Sequence, residues 1–444
     1  MKIIHVRTES LGDSTYLLTH ENTGIVVDPQ RDVDRFEHLI AESGIEPRLV
    51  LETHLHNDYI SGGPELARKT GAELVLPAAA APAYRHRPAF HLEDIELGDL
   101  VVRPIHTPGH TPEHTSYLVL VEDLPVAVFS GGSLLVGSAG RPDLMGPERA
   151  DTLARLQFTS INRLAALPDE VGLYPTHGQG SFCSISIATG PTSTIGAERK
   201  GNPALAFSDE DSFVEGQLAG LGPFPAYYSQ MGPANVFGAP PLSIREVPVL
   251  TREDFEEMIP SAIVVDARPR EHFAEGHLLG SLAIELGDSF GTWVGWVLPY
   301  QAPLILVLEP EQDLEEAMRQ LGRIGFEDVR GVIRDLNHWD VDLESHRVVG
   351  IEEFTSAVVD GEQVLDVRSP IDWVEGTIPG STLAYVPDVA RATPVGLDQG
   401  REVWVVCESG YRANLAAAIL EVRGFRPVVL VGYGVPEVLN SLSS

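Results

Sequence analysis

The sequence predicts a multidomain α/β protein: an N-terminal layered domain followed by two smaller units built on parallel sheets. Three observations carry this. Through the first 180 or so residues, apolar runs of strand length alternate with amphipathic stretches of helix length. Three of those runs end in a loop that delivers a histidine: Leu49-Val50-Leu51 before His54, Val101–His106 before His110, and Leu173-Tyr174-Pro175 before His177. Beyond residue 245 the chain repeats itself. Asp266-Ala267-Arg268 returns as Asp366-Val367-Arg368, Glu275-Gly276-His277 as Glu375-Gly376-Thr377, Gly280-Ser281 as Gly380-Ser381, and Gly325-Phe326 as Gly424-Phe425. The offset of about 100 residues is the size of one domain.

Taken in order, Ile3–Val6, Tyr16-Leu17-Leu18 and Gly24–Val27 read as strands, the last closing in a turn at Asp28-Pro29. Phe36–Ser43 reads as a helix ended by Gly44. Leu74–Pro77, Tyr117–Val121 and Val126–Ser130 are further strands, and Gly131-Gly132 ends the last of them. Asp151–Leu167 has the periodicity of an amphipathic helix. Residues 220–248 are rich in Gly and Pro, and the end of that segment reads as a linker. The expected domains are 1–245, 246–347 and 348–444.

A chain of 444 residues is too long for one domain. Its net charge of −33 repels nucleic acid and anionic lipid, so neither is an expected partner. Two cysteines far apart make no disulfide framework and suit a reducing compartment. The N-terminus lacks the long apolar segment of a signal peptide, and no run approaches a membrane span, so a soluble cytoplasmic protein is expected. A homo-oligomer is neither required nor excluded by the sequence.

His54, His56 and Asp58 stand two apart on a loop between a buried strand and a helix beginning near Gly63. Ligands of open α/β sheets gather at that edge. Two imidazoles and a carboxylate there, with His110 and His177 downstream, form a donor set for a divalent cation. In the last unit Val403–Val406 is a buried strand followed by Cys407-Glu408-Ser409-Gly410-Tyr411-Arg412 and a helix. A thiol at a strand end and helix N-terminus meets backbone N–H groups and a dipole that favour the thiolate. Arg412 can hold an anion beside it. Such a thiolate is suited to attack sulfur and carry it as a persulfide.

Residues 348–444 resemble a rhodanese domain, on Asp366-Val367-Arg368, Glu375–Ser381 and the Cys407–Arg412 loop. The resemblance makes Cys407 the sulfur-carrying nucleophile and places Gly410 and Arg412 at the bound substrate. The copy before it resembles an inactive rhodanese: Leu308 falls on the cysteine and Asp313 on the arginine. His54, His56, Asp58, His110 and His177 look like the metal loops of the metallo-β-lactamase superfamily, which implies an αββα sandwich. Gly140–Leu144, His177–Cys183 and Ile195–Leu205 are similar to its persulfide dioxygenase branch. That branch implies one non-haem Fe(II), with His54 and His110 as ligands and Arg141 as a substrate contact. The implied reaction oxidises a low-molecular-weight thiol persulfide to sulfite, and zinc is an alternative metal. Implied partners are small molecules: the persulfide, sulfite and thiosulfate.

Two positions depart from that pattern. Gly132 replaces the aspartate that completes the iron triad, and Tyr59 replaces the His after Asp58. A second-metal site then keeps only Asp58 and His177, which disfavours a dinuclear hydrolase. The expectation is a three-imidazole site of His54, His56 and His110. Restoring the carboxylate by Gly132→Asp is expected to raise iron content. The competing readings are a sulfurtransferase with a non-catalytic first domain, and a hydrolase on the metallo-β-lactamase fold.

Overall fold

The computed structural model describes residues 1–183, 190–336, 339 and 341–443. The chain forms two compact units. One comprises Met1–Ser243 with Gly322–Gly325, the other Ile244–Leu321 with Phe326–Ser444.

In the first unit two six-stranded sheets pack face to face. One runs Lys2–Thr8, Asp13–His20, Thr23–Val27, Glu46–Leu51, Glu73–Pro77 and Arg87–Ala89. Its first three strands are antiparallel, and it continues parallel from Thr23–Val27 onward. The other runs Ser193–Thr194, Gly172–Pro175, Leu124–Gly131, Thr115–Val121, Leu100–His106 and Ile95–Leu97. Strand alternation sorts the side chains. Tyr16, Leu18, Ile25, Val27, Leu49 and Leu51 face Val102, Tyr117, Val119 and Phe129 across the sandwich. Their neighbours Leu17, Val26 and Val50 point the other way, onto Phe36, Ile40 and Leu66 of two helices. Leu118, Leu120 and Val128 likewise cover Ala154, Ile161 and Leu164 of the helix Pro147–Ala165. Helix, sheet, sheet, helix is the αββα order expected from the sequence.

The second unit holds two parallel sheets. The first orders as Leu282–Ala283, Ile263–Asp266, Leu304–Val307 and Val329–Ile333. The second orders as Arg347–Val349, Arg426–Leu430, Glu402–Val406, Gln363–Asp366 and Thr382–Leu383. The repeat is visible at atomic detail. Arg268 Nη2 donates to Asp266 Oδ2 at 2.7 Å and to the Gly276 carbonyl at 2.8 Å. Arg368 does the same to Asp366 and Gly376 at 2.8 and 2.7 Å. The recurring Asp-x-Arg is thus a buried fork that ties a strand end to the following helix.

One side chain fastens the sandwich across its core. Tyr16, wholly buried, donates its hydroxyl proton to the Pro175 carbonyl at 2.7 Å, joining a strand of each sheet. Tyr16→Phe is expected to cost about 1–2 kcal/mol. It should lower the urea midpoint of the first unit's unfolding with an unchanged slope.

Candidate functional site

The site is built at strand ends of both sheets around one buried carboxylate. Asp28, at the end of Thr23–Val27, accepts the Thr53 N–H and the Thr53 hydroxyl, each at 2.7 Å, and the Thr176 hydroxyl. Thr53 has thereby given its only hydroxyl proton away. The 2.9 Å contact between Thr53 Oγ1 and His54 Nδ1 must then be a donation from the ring. His54 carries its proton on Nδ1 and turns the Nε2 lone pair inward.

The same logic fixes two more rings. His110 Nδ1 donates to the Arg141 carbonyl at 2.8 Å, leaving Nε2 buried with no partner. His177 Nδ1 lies 2.8 Å from Asp13 Oδ1 and 3.3 Å from Asp58 Oδ2, so it too is the protonated nitrogen. The Nε2 atoms of His54 and His177 are 3.3 Å apart. One ligand atom from each of His54, His110 and His177 falls within 4.8 Å of the others. Three buried imidazoles therefore present nitrogens toward one point, each ring held from behind by an acceptor.

The electrostatics fit a cation. Burial and the neighbouring histidines hold His54 well below the ordinary imidazole range, and burial with the His177 charge takes His110 down to about 3. Neither ring takes up a proton near neutrality, which suits a metal ligand. Burial would lower His177 as well, but the charges of Asp58 and Asp13 override it and raise it. A metal ion would take the place of that proton between His177 and His54. Burial, then the Asp58 charge, pushes Asp13 up to about 8. The ligands fit a divalent ion with open positions.

The membership of this trio differs from the sequence expectation. His56 was grouped with His54 and His110, and His177 with a second site. In the structure the donor atoms of His56 lie with those of Asp58 and His177, all within 4.8 Å of one another, rather than with His54 and His110, and other polar groups also engage the ring. Its Nε2 lies 3.0 Å from Glu52 Oε2, 3.4 Å from Asp28 Oδ1 and 3.0 Å from the Tyr59 hydroxyl. Burial would lower its pKa, but Asp28 and Glu52 raise it to about 10, so the ring is an imidazolium. Tyr59 stacks on that ring at 4.3 Å. Asp58 buttresses His177 and accepts from Cys183 Sγ at 3.4 Å. A carboxylate that sequence spacing did not reveal, Glu52, thus competes for His56.

Gly132 also reads differently in three dimensions. A Cβ there would lie 2.7 Å from Cγ and Nε2 of His110 and nearer still to Cδ2. The space an aspartate needs is filled by the His110 ring. The Gly132 N–H donates to His114 Nε2 at 2.9 Å, and His114 Nδ1 meets Thr107 Oγ1 at 2.9 Å, which holds the loop in place. The expectation that Gly132→Asp restores a ligand is therefore corrected: it would displace one.

Arg141, expected at the substrate, is buried and committed. It donates to both Asp143 oxygens at 2.7 and 2.8 Å and to the carbonyls of Phe182 and Gly222 at 3.0 and 2.6 Å. It works through its own carbonyl, which orients His110. The other singled-out motifs surround the same loop. Asn202 Nδ2 donates to the carbonyls of Leu135 and Ser138, each at 3.0 Å, and Glu198 Oε2 accepts the Gly137 N–H at 2.8 Å.

In the second unit Cys407 directly follows the strand Glu402–Val406 and is buried, with the Gly410 N–H donating to its Sγ at 3.2 Å. Gly410 has φ 98°, and a Cβ there would lie 3.0 Å from the Leu430 carbonyl oxygen. Arg412 donates to Asp372 Oδ2 at 2.9 Å and to Glu408 Oε2 at 3.0 Å. Its positive charge is thus balanced by two carboxylates. In the first copy the equivalents serve packing: Leu308 is buried, and Asp313 Oδ1 caps the next helix through the N–H groups of Glu315 and Glu316.

The family comparison agrees with this architecture. The metallo-beta-lactamase superfamily matches residues 11–177 and the rhodanese-like domain residues 351–441. A hydroxyacylglutathione hydrolase from Glaesserella parasuis is 30% identical over 45% of this chain and 90% of its own length. Another, from Methylobacterium sp. (strain 4-46), is 30% identical over 37% of this chain, which spans 65% of that protein. The crystal structure of a metallo-beta-lactamase from Staphylococcus aureus superposes with a TM-score of 0.68 at 28% identity, over 74% of this chain and 98% of that one. The chain belongs to the metallo-β-lactamase superfamily. It carries a rhodanese-like domain behind that fold and a cluster of metal-binding character within it.

The cluster's geometry gives a direct test. Gly132→Ala is expected to push His110 aside and lower metal content at least about tenfold. Metal analysis of protein purified without chelators reads this, and an unchanged content would show that His110 is not a ligand.

Proposed function

We propose that the protein is a two-part sulfur-handling enzyme: a mononuclear iron centre oxidises a low-molecular-weight thiol persulfide to sulfite, and Cys407 transfers sulfane sulfur. One observation carries the first half. The inward nitrogens of His54, His110 and His177 converge, while the Tyr59 hydroxyl, 3.0 Å from His56 Nε2, stands where a further histidine ligand would be needed for a full second site around His56, Asp58 and His177. A ferrous ion held by these three imidazoles would keep open positions for O2 and a persulfide. The chain contributes neutral ligands, with the Asp58 carboxylate behind His177 supplying negative charge one step removed. The reaction balances as R–S–SH + O2 + H2O giving R–SH, sulfite and two protons.

In the second half the Cys407 thiolate attacks the outer sulfur of a persulfide. A Cys407 Sγ–S bond forms, the R–S bond breaks, and the departing thiolate takes up a proton. Sulfite then attacks the carried sulfur, forming thiosulfate and returning the thiolate. The Gly410 N–H steadies Sγ throughout.

A second reading, hydrolysis of a thioester with zinc at the same histidines, rests on the 30% identity to the hydroxyacylglutathione hydrolases. Iron and zinc analysis, O2 uptake on glutathione persulfide, and hydrolysis of a glutathione thioester separate the two. O2 consumption lost in His110→Ala and kept in Cys407→Ser supports oxidation. Zinc occupancy with thioester turnover, and no O2 uptake, would replace it. Cys407→Ser should abolish thiosulfate-to-cyanide sulfur transfer.

The charge balance at Arg412 yields a further expectation. Glu408 is an exposed carboxylate 3.0 Å from the guanidinium and opposes a dianionic donor. Glu408→Gln should lower the KM for thiosulfate several-fold and leave that for a neutral persulfide donor nearly unchanged, as read by steady-state kinetics.

A further inference from the structure

We propose that His277, His346 and Glu421 form a second metal site, one that takes a zinc-type divalent ion and clamps the two repeated copies together. His277 follows the helix Arg270–Glu275 in the first copy. Its backbone exchanges hydrogen bonds with Glu344, each at 2.9 Å, which brings His346 alongside. Glu421 lies in the last turn of Tyr411–Val422, the helix whose first turn cradles Cys407. All three side chains are at least nine-tenths buried.

The tautomers argue for a cation. His277 Nδ1 faces the Phe273 carbonyl at 2.9 Å, and His346 Nε2 faces Asn414 Oδ1 at 2.8 Å. Both partners are acceptors, so both of these nitrogens carry hydrogen. In the neutral rings the lone pairs then sit on His277 Nε2 and His346 Nδ1, and both confront the Glu421 carboxylate. The separations are 3.0 Å to Oε2 and 3.1 Å to Oε1. Lone pairs facing a carboxylate repel unless a ring proton, for which His346 Nδ1 is in hydrogen-bonding geometry with Oε1, or a metal ion beside both atoms supplies positive charge. One ion held at about 2.0–2.2 Å by each ligand satisfies all three, since tetrahedral ligands around it stand roughly 3.3 Å apart.

A second observation is independent of the tautomers. Glu421 Oε2 is buried without a hydrogen bond, although His277 Nε2 is only 3.0 Å away. The ring nitrogen is out of line with the oxygen. A proton shared between the two atoms would pull them into line; a metal beside both would not. The acceptors behind each ring are the outer support that metal-bound histidines have. Two imidazole nitrogens and a carboxylate oxygen suit zinc, with water completing four-coordination. The second copy has Thr377 in place of His277, so the donor survives only in the copy without the sulfur-carrying cysteine.

The test uses the full-length protein stripped with chelator and then titrated with Zn2+ alone, and with Co2+ as a spectroscopic probe. Glu421→Gln should bind about one equivalent less Zn2+ than wild type and lose the tetrahedral Co2+ bands of this site, whatever the His54–His110–His177 cluster binds. Zinc should also raise the thermal midpoint of sulfur transfer by Cys407 in wild type but not in the variant. Equal zinc uptake by the two proteins would overturn the site. So would a midpoint that follows pH but ignores zinc, the signature of two imidazoliums paired with one carboxylate. If Glu421→Gln does not fold, His346→Gln carries the same comparison.

Discussion

The first unit depends on the Asp28 carboxylate, buried where three strand ends meet. It gathers the Thr53 backbone N–H, the Thr53 hydroxyl and the Thr176 hydroxyl, and it faces the His56 imidazolium. A lone carboxylate at that depth is costly unless donors surround it. Here the donors come from the loops that carry His54, His56 and His177. Satisfying one charge therefore brings the metal loops of both sheets into register. Because Thr53 spends its proton on Asp28, the tautomer of His54 follows as well. The charge that organises the site stays outside the set of groups that would touch the metal.

That separation explains how the site tolerates Gly132. With a carboxylate among the ligands, the negative charge would sit on the ion itself. In this chain it sits behind His177, on Asp58, and would reach an ion through the imidazole. The His110 ring has moved into the room a side chain at 132 would need. The cluster could hold a cation with neutral donors in front and the Asp58 carboxylate behind. An ion held so would carry more residual positive charge than one with a carboxylate ligand.

How much of this was legible in the sequence depends on the range of the interaction. The histidine loops could be read because the rule behind them is local: an apolar strand, then a polar loop at its C-terminal end. The tandem units could be read because Asp-x-Arg and Gly-Ser recur at a fixed offset. The grouping of histidines could not. His56 is taken by Glu52, four residues away, and no spacing rule ranks that contact above a metal. His177 is turned inward by Asp13, 164 positions away in the chain. Arg141 is a substrate contact only by resemblance to the persulfide dioxygenase branch, and in the structure Asp143, two residues on, and two distant carbonyls take up its donors. Partner choice among buried polar groups is a collective outcome, settled by which donors remain once every acceptor is satisfied.

The duplicated units show the same economy at larger scale. Both keep the Asp-x-Arg fork, because a parallel sheet needs its strand-to-helix turns held whatever the loop does. They diverge where a side chain can act. The second copy holds Cys407 and has lost a histidine at 377; the first has Leu308 in the reactive position and keeps His277. His277 reaches across to Glu421 at the far end of the helix that begins beside Cys407. Gly410, the N-cap of that helix, supplies the N–H that faces the sulfur. The first copy thus contributes a buried contact to the helix that begins beside the second copy's cysteine.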